Sequence, residues 1–410
     1  MLSSRPMLSL PLSHRFWPRL AGATGLLLAL WVIPGPVAQI RPLVLEESAR
    51  VRRMTEPQLF PPRRAELEEL WEVEAGGTLL AGLMGGSGAF VYALRDGQVV
   101  SRATEDGRLL WTREIPGLAW PPLGLNRRLF VIEGQALTSL DPGDGSTLWS
   151  QPLPAPAAFA PVVTDQQILV ALQQGDIATF SPAGGEPIWQ TTTGCLPEVE
   201  PQLQGGLVIV GCPDGMVRAF NATDGAALWE RQLKKPILVR PAVAKGRVFL
   251  GTADHTITCL GTAHGKKRYR AKMAGNASAP LQIYKDLVLA GSTDNLVYAI
   301  KQHKGFLAWS ADAGARLLTP VVTRSHLAAS SPLFATQLMV MDLRDGAVLA
   351  RERLSGEDRI SAGSPHFAGL TLVAMTQPVS GGAGWLTGYK VTVSELDQGP
   401  VVIPPPTSTP

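Results

Sequence analysis

Cysteines, histidines and carboxylates are the residues of this 410-residue chain whose chemistry could serve a catalytic or metal site. The three cysteines lie far apart, so the CxxC spacing that is typical of a zinc site is absent. Asp254-His255 and Asp294-Asn295 place ligand atoms side by side, but both pairs fall in predicted turns, where Asp and Asn are favoured in any case. No nucleophile lies in a recognisable arrangement with a histidine and a carboxylate. The sequence therefore predicts no enzyme, no metal site and no cofactor.

The elements around these residues repeat about every 40 residues. A glycine marks each repeat, at Gly107, Gly145, Gly185, Gly225, Gly265, Gly305 and Gly346. An aromatic residue follows four positions later in six repeats, at Trp111, Trp149, Trp189, Trp229, Tyr269 and Trp309, and Ala350 takes this place in the seventh. Prolines recur with nearly the same period, from Pro121 to Pro365. Because two independent markers keep register over about 250 residues, we predict a repeat protein.

Each repeat consists of short apolar runs, such as Leu207–Val210, Val217–Phe220 and Ala227–Glu230. Gly, Asp and Asn separate these runs, and such residues favour hairpin turns because they tolerate positive φ. Three or four short strands in about 40 residues, with no helical pattern between them, are typical of the blade of a β-propeller.

The two ends of the repeat region complement each other. Glu66–Val73, with Trp71, resembles the last strand of a repeat that lacks its earlier strands, whereas Ser361–Val391 supplies earlier strands without a last one. Joining them removes two exposed sheet edges. We therefore predict an all-β, eight-bladed β-propeller over residues 66–398, whose last blade is closed by the N-terminal strand.

The N-terminus has the order of an export segment. Three arginines precede Leu20–Ile33, an apolar stretch of 14 residues that ends at Pro34-Gly35. The stretch is short for a membrane span of about 20 residues, and the sequence leaves open both cleavage after Ala38 and retention as a membrane anchor. We expect a chain of the bacterial periplasm or cell envelope with a signal peptide or signal anchor, a charged spacer and a Pro-rich tail, in residues 1–38, 39–65 and 399–410.

The cysteines bear on a possible disulfide, and the net charge bears on the class of partner. Cys195 and Cys212 are predicted on the same rim of one blade, so a disulfide between them is geometrically allowed, and the sequence leaves their pairing open. Cys259 is expected to be a small buried side chain. The net charge of +3 argues against a nucleic-acid partner, and we interpret the basic run Lys266–Arg270 as a solvated strand edge.

The segment Ala219–Trp229 resembles the tryptophan-docking repeat of the pyrroloquinoline-quinone dehydrogenase-like propellers. This resemblance implies that each tryptophan packs over the turn of a neighbouring blade, where the glycine leaves room, at Trp71, Trp111, Trp149, Trp189, Trp229 and Trp309. Family members that oxidise alcohols have an adjacent Cys-Cys pair and long insertions, and neither is present here. A quinone-dependent dehydrogenase is therefore kept only as an alternative.

Among non-enzymatic propellers of this kind, the chain resembles the BamB family, scaffolds of the bacterial outer-membrane β-barrel assembly machinery. Arg316–Val322 is similar to a stretch before an inner strand in that family, and Ile237–Arg240 is the nearest match to its partner-binding loop. The resemblance implies envelope-protein partners and a role in outer-membrane protein assembly. An accessory subunit of another envelope complex is the second alternative.

One predicted rim carries inter-blade loops that are apolar and stiffened by proline, as expected of a protein-binding surface. The candidate partner-binding residues in these loops are Trp120, Ile237, Leu238, Val239, Arg240, Arg316, Leu317 and Leu318. The alternative is that these side chains cap the central channel and contact no partner.

Overall fold

The computed structural model describes residues 63–85, 88–125, 127–315, 322–331, 336–354, 358–368 and 371–395. Every regular element in them is a β-strand, and the strands form eight antiparallel sheets arranged as an eight-bladed β-propeller. The predicted fold class is confirmed, including the closure of the last blade by the N-terminal strand. Within these residues there is no helix that is long and apolar enough to span a membrane.

The strands of the first half follow the repeat from blade to blade. The first described strand is β1 (Arg63–Glu74), which is separated in sequence from the rest of its blade. Blade 1 contains β2 (Leu79–Gly85), β3 (Ala89–Leu94), β4 (Gln98–Ala103) and β5 (Leu109–Glu114); blade 2 contains β6 (Leu123–Leu125), β7 (Arg128–Glu133), β8 (Ala136–Leu140) and β9 (Thr147–Pro152). Blade 3 contains β10 (Val162–Val163), β11 (Ile168–Ala171), β12 (Asp176–Phe180) and β13 (Pro187–Thr192); blade 4 contains β14 (Gln202–Gln204), β15 (Leu207–Gly211), β16 (Met216–Asn221) and β17 (Ala227–Gln232).

The second half ends in the composite blade. Blade 5 contains β18 (Ala242–Ala244), β19 (Arg247–Thr252), β20 (Thr256–Gly261) and β21 (Lys267–Lys272); blade 6 contains β22 (Gln282–Tyr284), β23 (Leu287–Gly291), β24 (Leu296–Lys301) and β25 (Leu307–Asp312). Blade 7 contains β26 (Val322–Arg324), β27 (Leu327–Ser330), β28 (Gln337–Asp342) and β29 (Val348–Arg353). Blade 8 contains β30 (Arg359–Ser361), β31 (His366–Ala368), β32 (Thr371–Pro378), β33 (Trp385–Glu395) and, as its outer strand, β1.

The hydrophobic core lies between neighbouring blades. The first strands of successive blades contact one another, for example β14 with β18 and β18 with β22, so the first strands line the centre of the ring. Outward from them, the faces of adjacent sheets pack together, as where Phe249 and Ile257 of blade 5 meet Val288 and Ile300 of blade 6. All four side chains are fully buried, so each blade depends on its neighbours for a closed core.

The tryptophans of the outer strands join each blade to the next. A Cβ atom at Gly145 would lie 2.8 Å from Cε3 of Trp111, so the ring fits only over a glycine. The indole N–H of Trp111 donates to the carbonyl oxygen of Pro142 in the same turn, at 2.9 Å. The same docking joins Trp71 to Gly107, Trp149 to Gly185, Trp189 to Gly225, Trp229 to Gly265 and Trp309 to Gly346. Tyr269 replaces the indole over Gly305, and its hydroxyl donates to the Gln302 carbonyl oxygen at 2.8 Å.

Blade 7 departs from this pattern because the blade after it has no turn to dock on. In blade 8 the third and fourth strands are β33 and β1, which are the two ends of the described chain and pair from Arg63–Glu395 to Glu74–Trp385. The outer strand of blade 7 has Ala350 where the other blades have an aromatic ring, and its cross-strand neighbour is the larger Val340. In blades 1 and 2 the residue opposite the aromatic ring is a serine. Blade 7 thus has the small residue on the outer strand and the larger one on the strand beside it.

An ion-pair cluster takes the place of the aromatic ring between blades 7 and 8. Arg63, at the start of β1, donates to the carboxylates of Asp342 and Asp345 in the turn between β28 and β29. The side chains of Arg63 and Asp342 are 3% and 0% exposed, and Arg344 also donates to Asp342, at 2.6 Å. Since buried charges are stable only when they are paired, this cluster fixes the position of β1. Arg63 lies in the range that the sequence assigns to the spacer.

We expect the glycines under the rings to be intolerant of a methyl group. Gly225 and Gly206 both have a positive φ, at 71° and 77°, so alanine is strained at either position. A Cβ atom at Gly225 would lie 2.5 Å from Cε3 of Trp189, whereas one at Gly206 would have no atom within 4 Å. Gly225→Ala should therefore lower the free energy of unfolding by about 1–3 kcal/mol more than Gly206→Ala. Urea unfolding of both variants measures the difference, and equal losses would show that the ring does not need the glycine.

The ion pairs of Asp342 should make stability depend on acid pH. Burial raises the pKa of Asp342, but hydrogen bonds from Arg344 and the charges of Arg63 and Arg344 outweigh it and hold this pKa below its usual range. The ionised form therefore stabilises the fold fully above about pH 4, and this contribution is lost as the pH falls below that value. Asp342→Asn should lower the free energy of unfolding at pH 7 by roughly 3–5 kcal/mol.

Asp141 provides the matched control for this substitution. It occupies the corresponding position of the blade 2 turn, where it accepts a hydrogen bond from the Gly143 amide at 2.7 Å and has no ion pair among the described residues. Thermal unfolding between pH 3 and 7 should show a steep acid loss for the parent and for Asp141→Asn, and a shallower one for Asp342→Asn. Parallel curves for all three proteins would contradict the role of this cluster.

Candidate partner-binding rim

The loop of residues 233–241, between β17 and β18, is an ordered segment, and we call it the rim loop. Ile237 forms an isolated β-bridge with Thr252, and the Leu238 amide donates to the Gly251 carbonyl oxygen at 2.9 Å. The loop thus pairs briefly with the end of β19. Pro236 and Pro241 restrict the backbone on both sides of this pairing.

The extended backbone makes the side chains of the rim loop alternate between the core and the surface. Ile237 and Val239 are 4% and 7% exposed, and a Cβ atom at Gly211 would lie only 2.7 Å from Cδ1 of Ile237. Ile237 packs between blades 4 and 5, and Val239 packs between blades 5 and 6. Both side chains therefore anchor the loop and are not accessible to a partner. Leu238 points outward and is 38% exposed.

Arg240 lies beside Leu238 and is held by the preceding inter-blade loop. Its Nη1 atom is 3.1 Å from Oε2 of Glu200, and both side chains are about one-third exposed. An ion pair at this exposure contributes little stability, roughly 0–1 kcal/mol, but it limits the orientations of the guanidinium group. An exposed leucine next to an oriented arginine can bind an apolar side chain and a hydrogen-bond acceptor of another protein.

A disulfide fixes the loop that carries Glu200. Cys195, in the loop between blades 3 and 4, is bonded to Cys212 at the end of β15, with their Cα atoms 6.0 Å apart. The sequence left this pairing open. Leu196, directly after the bridge, is 58% exposed. Leu196 was not among the residues predicted to bind a partner, and the signal that could have identified it is an apolar residue between a rim cysteine and Pro197.

The other candidate residues lie elsewhere or outside the described part of the chain. Trp120 is half-buried and packs against the core between blades 2 and 3, near Phe130 and Leu153. Arg316, Leu317 and Leu318 fall outside the described residues. Of the eight candidates, the structure therefore leaves Leu238 and Arg240 exposed on the rim loop, and it adds the exposed Leu196 on the preceding inter-blade loop.

The carboxylates of Asp254 and Asp294 accept hydrogen bonds from groups in or next to their own turns. Asp254 accepts hydrogen bonds from the hydroxyls of Thr252 and Thr256, each at 2.7 Å, and pairs with Arg270. Burial raises the pKa of Asp254, but these hydrogen bonds and the charge of Arg270 bring it below its usual range. Asp294 accepts hydrogen bonds from the Leu296 amide and the Tyr298 hydroxyl. Within the described residues no three His, Cys, Asp or Glu side chains are grouped as metal ligands.

The unpaired cysteine is shielded from solvent. Cys259, on β20, is fully buried opposite Tyr269 of the outer strand. Burial raises the pKa of its thiol to about 11, so the thiol is protonated at neutral pH. A protonated thiol is a poor nucleophile and a poor metal ligand, so Cys259 serves the packing of blade 5.

Most of the chain matches the sequence model of a known protein family. The sequence model of the outer membrane protein assembly factor BamB matches residues 65–212 and 213–382, which include nearly all of the propeller. The chain belongs to the BamB family. A curated relative, the outer membrane protein assembly factor BamB of Alkalilimnicola ehrlichii, is 30% identical over 121 residues. That alignment covers 29% of this chain and 30% of the relative, so the chain matches less than a third of the relative's length.

Solved structures share the architecture of this BamB-family chain. BamB from Moraxella catarrhalis superposes with a TM-score of 0.57 at 17% identity, covering 78% of this chain and 99% of that one. The computationally designed Ika8 protein gives 0.62 at 17% identity, with coverages of 78% and 99%. The C-terminal WD40 domain of Sif2 gives 0.62 at 11% identity, with coverages of 78% and 97%. At these identities the likeness shows the fold alone.

The disulfide should stabilise the propeller measurably. The bridge closes a segment of 17 residues, and the entropy that it removes from the unfolded chain corresponds to about 3 kcal/mol. Reduction of the parent, or replacement of Cys195 and Cys212 together by serine, should lower the free energy of unfolding by this amount. Urea unfolding with and without dithiothreitol tests this, and the double variant is the control because reductant should not affect it. Full reduction with no change in the midpoint would contradict a stabilising bridge.

Proposed function

We propose that this chain is a non-enzymatic scaffold of the bacterial cell envelope that takes part in the assembly of outer-membrane β-barrel proteins. The match of the BamB family over most of the propeller supports this role. The export-like segment Leu20–Ile33 supports a location in the periplasm, with residues 1–38 either removed as a signal peptide or retained as a membrane anchor.

We further propose that the rim loop contacts the partner protein through Leu238 and Arg240, with Leu196 at its side. The observation that carries this proposal is the alternation in the rim loop. Burial of Ile237 and Val239 holds the backbone in place, so the side chain of Leu238 remains exposed to solvent. Because such a loop loses little conformational entropy on binding, little of the free energy gained from an apolar contact there is offset by ordering of the loop.

The chemistry of the described residues supports a binding role rather than catalysis. The carboxylates of Asp254 and Asp294 are used in hydrogen bonds within their own turns, and the thiol of Cys259 is buried and protonated. The structured loops of the rim offer apolar and hydrogen-bonding side chains, which suit recognition of another protein surface. An accessory role in another envelope complex would use the same loops, and the identity of the captured partner distinguishes the two.

We expect Leu238→Asp to weaken the partner complex without unfolding the propeller. A charged side chain in the centre of an apolar contact should cost on the order of 2 kcal/mol, about thirtyfold in affinity. The matched control is Leu228→Asp, because Leu228 is also exposed, at 49%, but lies on the outer strand of blade 4. The measurement is affinity capture of the tagged full chain from its native envelope, with identification of the co-purified β-barrel assembly proteins.

Three outcomes of this capture are informative. Loss of assembly proteins with Leu238→Asp alone supports the rim loop as the contact. Equal capture by parent and Leu238→Asp would place the interface elsewhere. Recovery of a different envelope complex in place of assembly proteins would contradict the proposed function.

A further inference from the structure

The charges of the propeller are segregated along the ring. Residues 231–304, which run from the end of blade 4 through blades 5 and 6, contain 14 lysines and arginines against three aspartates and no glutamate. Residues 63–230 contain 9 lysines and arginines against 20 aspartates and glutamates. The two parts carry net charges of +11 and −11, which the net charge of +3 for the whole chain conceals. Such a field acts on charged partners far more strongly than the total suggests.

The positive charge is concentrated on the outside of blade 5, in two grooves and on the strand between them. We call this surface the basic edge. The groove between blades 4 and 5 has a volume of about 490 Å³ and is lined by six cationic side chains, those of Arg231, Lys234, Lys235, Lys266, Lys267 and Arg270. The groove between blades 5 and 6 has about 250 Å³; four cations line it, Lys245, Arg247, Lys301 and Lys304, with one carboxylate, that of Asp286, which pairs with Lys301 at 3.0 Å.

Four of these cations have no anionic partner among the residues that the structure describes. Arg270 pairs with Asp254, and the Nε–H of Arg231 donates to the Gly265 carbonyl oxygen at 3.1 Å. No ion pair joins the remaining lysines of the first groove to any described residue; they are Lys234, Lys235, Lys266 and Lys267. Like charges around one groove repel each other, so an external anion would be bound favourably there.

Protection of a strand edge does not account for this surface. Lysines on an outer strand do prevent edge-to-edge aggregation. However, β13 occupies the same position in blade 3, and its sequence from Pro187 to Thr192 contains no charged residue. In β21, by contrast, four of the six residues are exposed cations, namely Lys267, Arg268, Arg270 and Lys272. Since one outer strand of this ring lacks charges altogether, edge protection does not require four on another.

Apolar side chains adjoin the basic edge and indicate the kind of anion. Phe306 lines the second groove and is 48% exposed, and Leu307, at the start of β25, is 40% exposed. Lysine carries a mobile point charge on a long apolar stem, which suits phosphate groups that have no fixed positions. Flexible cations beside an exposed aromatic ring are typical of surfaces that bind anionic lipid headgroups and insert apolar side chains among them.

We propose that the basic edge of blade 5 docks on an anionic lipid surface. The four unpaired lysines contact the headgroup phosphates, and Phe306 and Leu307 enter the boundary between headgroups and acyl chains. The export segment predicted at Leu20–Ile33 would bring the chain to a membrane, where such a surface is available. This site goes beyond the proposed function because it requires no partner protein.

The test is flotation of the full-length chain with lipid vesicles. Vesicles of phosphatidylcholine alone are compared with vesicles that also contain phosphatidylglycerol, because Leu20–Ile33 can bind to both kinds and only the charge differs. Binding to the anionic vesicles should be stronger and should weaken as salt is added. Neutralising one lysine near an anionic surface should reduce the partition coefficient roughly fivefold, so Lys266→Gln with Lys267→Gln should reduce it about 25-fold.

The matched control is the double variant Arg95→Gln with Arg108→Gln. Both arginines are exposed in the acidic part of the ring, and the two double variants have the same net charge. Loss of binding in the lysine variant alone supports the proposal. Equal losses in both variants, or equal binding of the parent to both kinds of vesicle, would overturn it. Binding of soluble polyglutamate without binding of anionic vesicles would also overturn it and would assign the basic edge to an acidic polypeptide.

Discussion

Pairing of β1 with β33 is the interaction on which the rest of the structure depends. Each blade buries its faces only against its two neighbours, so the ring has a complete core only when the last blade is complete. The N-terminal strand supplies the missing edge over the full length of β33 and then places Trp71 over Gly107 of blade 1. One strand thus both finishes blade 8 and starts the series of docked rings that continues around the propeller.

The closed ring gives the rim loop its fixed position. Ile237 is held between blades 4 and 5, and Val239 is held between blades 5 and 6. Those blades are joined in turn by Trp229 over Gly265 and by Tyr269 over Gly305. The disulfide of Cys195 fixes the neighbouring loop, from which Glu200 reaches Arg240. A scaffold that presents Leu238 in one conformation binds with little loss of entropy, and this links the packing of the blades to the proposed function.

Sequence patterns were sufficient for the fold but not for the details of the rim. The spacing of glycine and tryptophan identified the blades, and the unmatched strand around Trp71 identified the closure. Burial of Ile237 was not predictable, because it depends on pairing with Thr252 of the next blade. The contact between Arg63 and Asp342 joins residues 279 positions apart, and no local pattern marks such a pair. The net charge does not reveal the charge segregation, because opposite charges cancel in the total.

Thermal unfolding of a chain that lacks residues 66–74 is the most direct test of closure by β1. Without this strand β33 loses its partner and Gly107 loses the ring above it, so a ring that unfolds as one unit should lose its cooperative transition or shift it far below that of the parent. A chain that lacks residues 399–410 is the control and should unfold like the parent. If the chain without residues 66–74 unfolded at the parent's temperature with the same cooperativity, the ring would not depend on β1.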